Sequence, residues 1–449
     1  MLCAIGGNAG GWCAPRRSFP PKFNPRDRMP VIPANQQGSP AREEHLMRLT
    51  LFVYFLGFGI FLPYFSPFLM AQGFNPQEVG FLLAAVMTSK VIGPPLLGWW
   101  VDHHNRILPA MRLMALASIL LFLLIFALKL TQAPLGFWLV VLGLFGLAWQ
   151  PLLSQLDVLT LRLVAGRAQV YSSLRAWGSI GFIVSSVGLG FIINGLAPAA
   201  QSVWIAGLLI AALLGLWLLL QRLQEPTAQP SPGFASWALA EPEPRFWQKL
   251  RNPALIGFLV MQFLVNVAHG VYYAFFSVYL AEQGYSSAAI GLLWALGVVA
   301  EIILFFVLPR FLNRFSYTHL FAIALGLMAL RWLLIGTQIE SLGWILFAQV
   351  LHAASFGLTH AVGIAVIHQQ FTGRLQSRGQ AVFSGFSYGG GAAVGLMLAG
   401  WLWTQFGAVA SFLVMSLVSV AAGLMLLTCH RLVSAADARP TDDRIEQGV

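Results

Sequence analysis

The chain has 449 residues, 58% of them hydrophobic and 9% charged, and a mean hydropathy of +0.74. Soluble domains carry about 25% charged residues, so a water-soluble globule is excluded and an integral membrane protein is indicated. The formal net charge of +10 does not point to nucleic acid, because the cations sit in short loops between apolar stretches. Three cysteines, Cys3, Cys13 and Cys429, cannot build a disulfide framework and leave only a Cys3–Cys13 pair open.

Residues 1 to about 44 are rich in Gly, Pro, Arg and Asn and show no apolar period, so disorder is expected there. The stretch lacks the apolar core of a signal peptide. Met29 and Met47 are alternative starts, which makes residues 1–46 a disordered or artefactual tail. Twelve apolar stretches follow, each near the roughly 20 residues that a membrane helix needs. Their limits are 49–70, 77–100, 107–129, 135–161, 172–194, 201–222, 253–281, 286–309, 317–337, 343–368, 379–402 and 407–430. A polar, Pro-rich segment, 223–252, divides them six and six. The expected fold is all-α, with an N-terminal half over 47–222, a linker, a C-terminal half over 253–430 and a tail over 431–449.

Lys and Arg set the orientation. Alternate loops carry Arg106 and Arg112, then Arg162 and Arg167, then Arg222, Arg245, Lys249 and Arg251, then Arg310 and Arg314, then Arg374 and Arg378. The opposite loops hold only Lys129, at a span edge. Both termini and the linker are therefore expected in the cytoplasm, with the chain in the cell (inner) membrane. The halves also repeat. Gln72-Gly-Phe-Asn-Pro-Gln-Glu-Val-Gly-Phe-Leu-Leu matches Gln283-Gly-Tyr-Ser-Ser-Ala-Ala-Ile-Gly-Leu-Leu, and Gly166-Arg-Ala-Gln169 matches Gly373-Arg-Leu-Gln376. Two six-span halves related by an axis along the membrane normal are a common transporter design. The first match also carries Lys90 in span 2 onto Glu301 in span 8, opposite charges at equivalent depths across a central cavity.

A charge in the bilayer core costs on the order of 2.5 kcal/mol or more, so such residues face a protein interior or a wet cavity. Asp157 and Arg175 flank the Gly166 turn. If both arms are helices, a rise of about 1.5 Å per residue puts the two charges at one depth, roughly 13 Å from the turn. Lys90, Glu301, Arg331, His269, His352 and His360 are the other ionisable groups well inside spans. Plainer readings stand beside the functional ones. Asp157–Arg175 could be a structural ion pair, and each histidine, taken alone, a hydrogen-bonded packing residue, though the functional reading of the pair is the favoured one. Opposite charges at mid-depth in both halves outweigh these readings taken singly. Glycines recur in spans 5 and 11, where small residues let backbones approach closely. Pro63, Pro94, Pro95 and Pro151 predict kinks near the cavity. No P-loop, His-Glu-x-x-His or paired Cys-x-x-Cys occurs, so neither an ATP engine, a cofactor nor a metal is expected.

Gly98-Trp-Trp-Val-Asp102-His-His-Asn-Arg106 resembles the gating loop between spans 2 and 3 of the major facilitator superfamily, with His where the family has its first Arg. Residues 48–430 are similar to the phenylpropionate permease group and, more distantly, to the lactose/proton symporter. The likeness rests on Gly59-Ile-Phe-Leu-Pro-Tyr64, Asp157 with Arg175-Ala-Trp177-Gly-Ser, His269-Gly-Val-Tyr272-Tyr273, Leu296-Gly-Val-Val-Ala-Glu301, Arg331-Trp332, and Leu351-His352 with His360. The resemblance implies the major facilitator fold and, as for most relatives, a monomer. In the lactose symporter an acid in span 4 and an Arg in span 5 grip the sugar, and Asp157 and Arg175 fall on those positions. Arg331 and His352 fall on its proton-coupling Arg and His, and its acid three residues beyond that His is Ser355 here.

The expected function is proton-coupled symport of a small organic solute, an aromatic acid such as phenylpropionate or a sugar, by alternating access. Arg175 or Lys90 would pair with a carboxylate, because such cations hold carboxylates by charge-assisted hydrogen bonds. Tyr54, Trp149, Trp177, Tyr272 and Tyr273 could stack on a ring. Glu301 is the first choice for the coupling acid, since taking up a proton would release Lys90 or Arg331, and His352 is the second, with Arg331, His360 and His269 completing the candidate proton-coupling set. Proton-driven efflux of amphipathic compounds is the competing transport reading. A membrane sensor or assembly factor is disfavoured by the short loops, and an intramembrane enzyme by the lack of a nucleophile–base pair.

Overall fold

The computed structural model describes residues 40–104, 106–131, 133–164, 167–225, 244–372 and 375–436. The expected tail through residue 39, most of the linker, the C-terminal residues from 437 onward, and Gly166, Gly373 and Arg374 of the two matching turns lie outside the described residues.

Long apolar runs leave the backbone no partner but itself in a bilayer, so each becomes a helix. Span 1 is Pro40–Met70, span 2 Pro76–His104, span 3 Ile107–Thr131, span 4 Leu135–Val164, span 5 Ala168–Ile192 and span 6 Pro198–Arg222. The first helix thus begins at Pro40, earlier than the apolar pattern alone indicates, because Glu44 and Arg48 add a polar helical turn joined by their own ion pair at 3.6 Å. A short helix, Pro244–Leu250, leads into span 7, which is Pro253–Ala268 continued after a break at His269 by Gly270–Glu282. Span 8 is Ser287–Arg314 and span 9 is Tyr317–Thr337. Span 10 consists of Leu342–Val350, a π-helical segment Ala353–Leu358, and Thr359–Gln370. Span 11 starts as Gln376–Val382, passes through a second π-helical segment, Phe383–Gly390, and enters the long helix Gly391–Ala435.

Local chemistry marks the helix starts. Asn75 and Glu78 form a reciprocal cap on span 2, each side chain accepting the other's backbone N–H at 2.9 Å. Ser286 and Ser316 cap spans 8 and 9. Among the described residues, eleven helices are long and apolar enough to cross a membrane, the last of them 58 residues, Arg378–Ala435. That length is too great for one crossing. Gly407 divides it, with φ 77° and ψ −176°, a backbone region essentially restricted to glycine. The break yields the twelve crossings expected.

Within the first six spans, span 1 packs on spans 5 and 6, and span 4 on spans 2 and 3; within the last six, span 7 packs on the long helix of spans 11 and 12. The sequence halves meet mainly where span 2 lies on span 11 and span 5 on span 8. The Tyr64 hydroxyl ties the second junction, donating to the Ser186 carbonyl at 2.6 Å and lying 3.5 Å from that of Ser287. At the first junction a Cβ on Gly80 would sit 2.6 Å from the Leu396 carbonyl. Both contacts lie toward the Arg-poor ends of the spans.

Gly407→Ala should lower thermal stability in detergent by on the order of 1–3 kcal/mol, because the side chain disfavours this backbone conformation. Gly326→Ala, where the added Cβ meets nothing within 4 Å, serves as the control and should not lower it. Equal losses at both positions would show that the break does not depend on glycine.

Candidate substrate and coupling site

Spans 4 and 5 fold back on each other and bring Asp157 and Arg175 together, with Oδ1 3.5 Å from Nε. Each side chain keeps 34% of its surface exposed. The Arg175 guanidinium also covers the Phe55 ring of span 1 at 4.4 Å. Tyr171, one helical turn before Arg175, lies beside both members of the pair, within their electrostatic reach. Tyr54 is buried behind them, 5.3 Å from Phe55 and 6.0 Å from Trp149 between ring centroids, and within electrostatic range of both charges. Trp177 does not join this group. Two residues past Arg175 a helix has turned by about 200°, so Trp177 emerges on the other side of span 5, 39% exposed and edge-on to Phe52.

In the C-terminal half Arg331 is wholly buried. Its guanidinium donates to the Ala348 carbonyl, the Ser355 hydroxyl and the Gln349 side-chain oxygen, each at 3.1 Å. It is sandwiched between the rings of Tyr272, at 4.2 Å, and Trp332, at 4.5 Å. Gln349 in turn donates to the Tyr272 hydroxyl and the Leu293 carbonyl. Ser355, which stands where the lactose symporter has an acid, is therefore a neutral acceptor for Arg331.

Glu301 faces His352 rather than Lys90 or Arg331, its Oε2 3.9 Å from the imidazole Nε2. The expectation that its protonation would release Lys90 or Arg331 is corrected accordingly. Arg331 is held by uncharged groups, and among the described residues Lys90 has neither an ion pair nor a hydrogen bond. His352 Nδ1 is buried without a hydrogen-bond partner. His269, at the break in span 7, donates from Nδ1 to the Val265 carbonyl at 2.7 Å and stacks on Tyr273, while its Nε2 has no partner. His360 Nδ1 meets the Tyr388 hydroxyl of span 11 at 2.8 Å.

Charges from the two halves share one region. Arg175 lies within electrostatic range of Glu301 and of His360, and His360 within that of Lys90. At the loop after span 2, a Cβ on Gly98 would meet nothing within 4 Å, Arg106 is exposed, and the Asp102 side chain lies outside what is described. Glu225, just beyond span 6, instead accepts the Ile107 and Leu108 backbone N–H groups at the start of span 3. Arg112 returns hydrogen bonds to the Leu220 and Leu223 carbonyls. Tyr171, Gln349 and Tyr388 are site residues that sequence reading missed. Tyr171 carries a usable signal, because it stands four residues before Arg175 and so shares its helix face. Gln349 and Tyr388 carry none.

The profile of the "MFS_1 like family" matches residues 45–414. The chain is 30% identical over 390 residues to the "Probable 3-phenylpropionic acid transporter" of Escherichia coli (strain K12), covering 84% of this chain and 95% of that protein. It is 25% identical over 391 residues to the maltose permease of Geobacillus stearothermophilus, covering 87% and 95%. The crystal structure of the nucleoside transporter NupG superposes with a TM-score of 0.71 at 14% identity, covering 86% of this chain and 99% of that one, a likeness of fold alone.

Arg331→Lys keeps the charge and loses the planar fork that satisfies three acceptors at once. Thermal unfolding in detergent should show a loss on the order of 3 kcal/mol. A lysine variant as stable as the parent would show that the fork is not what holds spans 9 and 10 together.

Proposed function

Because the chain belongs to the MFS_1 like family, within the major facilitator superfamily of transporters, and so is a transporter rather than an enzyme, we propose that it imports a small organic solute in symport with protons. The solute is an aromatic acid such as phenylpropionate, or a sugar, in keeping with what its relatives are named for. The observation that carries the reading is the Glu301–His352 contact at 3.9 Å, with Arg175 of the other half within electrostatic range of the same carboxylate. One acid thereby feels both halves of the chain.

The mechanism is alternating access, with the halves 47–222 and 253–430 rocking about the shared site. Asp157, Arg175 and Tyr171 form one polar wall of the solute site, while Tyr54, Tyr272 and Tyr273 border it with aromatic surface. A proton on Glu301 cancels its charge, which weakens its hold on His352 and on Arg175 together. Solute and proton then move as one neutralised set, and the two halves can close over them. The junction contacts of Tyr64 and Gly80 lie toward the Arg-poor ends, which supports reading this arrangement as closed on that face. By the distribution of Lys and Arg, the closed face is periplasmic and both termini are cytoplasmic, in the cell membrane. Gly98, Asp102 and Arg106 lie at the opposite, cytoplasmic end of span 2, where they would gate the open face.

Uptake by membrane vesicles under an imposed pH gradient tests the assignment. Glu301→Gln should abolish accumulation above the outside concentration while solute exchange continues. His352→Gln should slow both. Normal accumulation by the Glu301 variant would remove that residue from coupling, and solute driven outward by an inward proton gradient would make the protein an antiporter.

A further inference from the structure

We infer that Lys90, His360 and Tyr388 form an anion subsite, across the junction of spans 2, 10 and 11, that holds the carboxylate of a monoanionic organic solute. The inference rests on the transport reading above and decides between the charged and the neutral solutes it leaves open.

The first observation is that one mid-span cation, Lys90, has no counter-charge among the described residues. Arg175 already faces Asp157, Tyr171 and the Phe55 ring. Arg331 is sealed by three hydrogen bonds and two aromatic faces. Lys90 stands at mid-span with no partner among the described residues, in a part of the bilayer where an uncompensated ammonium is costly. A bound anion supplies what the chain does not.

Geometry supplies the second. Span 2 lies against span 11 at this level, since a Cβ on Gly389 would sit 3.5 Å from the Lys90 backbone carbonyl carbon. Tyr388 is the neighbour of that glycine and meets His360 at 2.8 Å, and His360 is within electrostatic range of Lys90. Tyr388 lies in one π-helical segment and His360 just beyond the other. Such segments in α-helices recur at functional sites.

Hydrogen-bond chemistry completes the case. If the Tyr388 hydroxyl donates to His360 Nδ1, the imidazole proton resides on Nε2 and is free to donate. If Nδ1–H donates instead, the tyrosine proton is free. Either arrangement leaves one donor beside the ammonium, which matches the two oxygens of a carboxylate. Phe356 stacks between His352 and His360, with centroids 5.5 and 5.7 Å away, and separates this subsite from the Glu301–His352 contact. His360 thus belongs to solute binding rather than to proton coupling.

The test uses the full-length protein in detergent and measures binding of benzoate, phenylacetate, 3-phenylpropionate and butyrate, each beside its amide. At least one acid should bind about tenfold or more tightly than its amide. Lys90→Met should remove that preference by weakening the acid alone, and Lys90→Arg should keep most of it. Tyr388→Phe should lower acid affinity severalfold. Lys90→Met deletes a charge rather than a packing contact, so a thermal midpoint at or above that of the parent confirms that it folds. Absence of any acid-over-amide preference in the parent, or its persistence in Lys90→Met, overturns the subsite. Either result leaves pH-driven accumulation by parent vesicles untouched, and failure of the transport reading would show in that accumulation instead.

Discussion

Hydrocarbon tolerates a charge only when something answers it, and the interior of this protein is arranged around that demand. Three solutions are visible. Asp157 answers Arg175 with an opposite charge. Arg331 is answered by dipoles and ring faces, three neutral acceptors and two aromatic quadrupoles, with no carboxylate among them. Lys90 is answered by nothing among the described residues. The first two arrangements satisfy their charges within the protein, and the third leaves Lys90 to be satisfied, on the reading above, by a solute.

The two halves consequently do different work on one repeated plan. The N-terminal half keeps continuous helices and places its ion pair where two spans turn back on each other. The C-terminal half interrupts spans 7, 10 and 11, with a break at His269 and π-helical segments at Ala353–Leu358 and Phe383–Gly390. All three histidines of the site, His269, His352 and His360, sit at or next to those interruptions. His352, Phe356 and His360, spaced four apart through the first of these π-helical segments, lie nearly parallel.

Charges in one half are felt by the other across the junction. Glu301 and His360 belong to one half and feel Arg175 of the other. A change of charge on Glu301 therefore alters the attraction between the halves, the quantity that a rocking mechanism must control. The start of the linker takes part in holding the N-terminal half together. Glu225 and Arg112 bind the start of span 3 to the end of span 6 through backbone groups, so the N-terminal half is clasped at its Arg-rich end.

Much of this was legible before any coordinates. Apolar length alone specifies membrane helices, because an unpaired peptide group in lipid leaves no other choice, and the twelve crossings follow from it. Equal spacing about the Gly166 turn was enough to pair Asp157 with Arg175, since helical rise converts residue number into depth. The partners of Glu301, Lys90 and Arg331 were not legible. They depend on which helix face turns inward and on two π-helical segments, and neither is encoded in periodicity. Trp177 shows the limit most plainly. It is two residues from Arg175 in the chain and on the opposite side of the helix, so sequence assigned it a depth, and only the packing of span 5 against span 1 decided its direction.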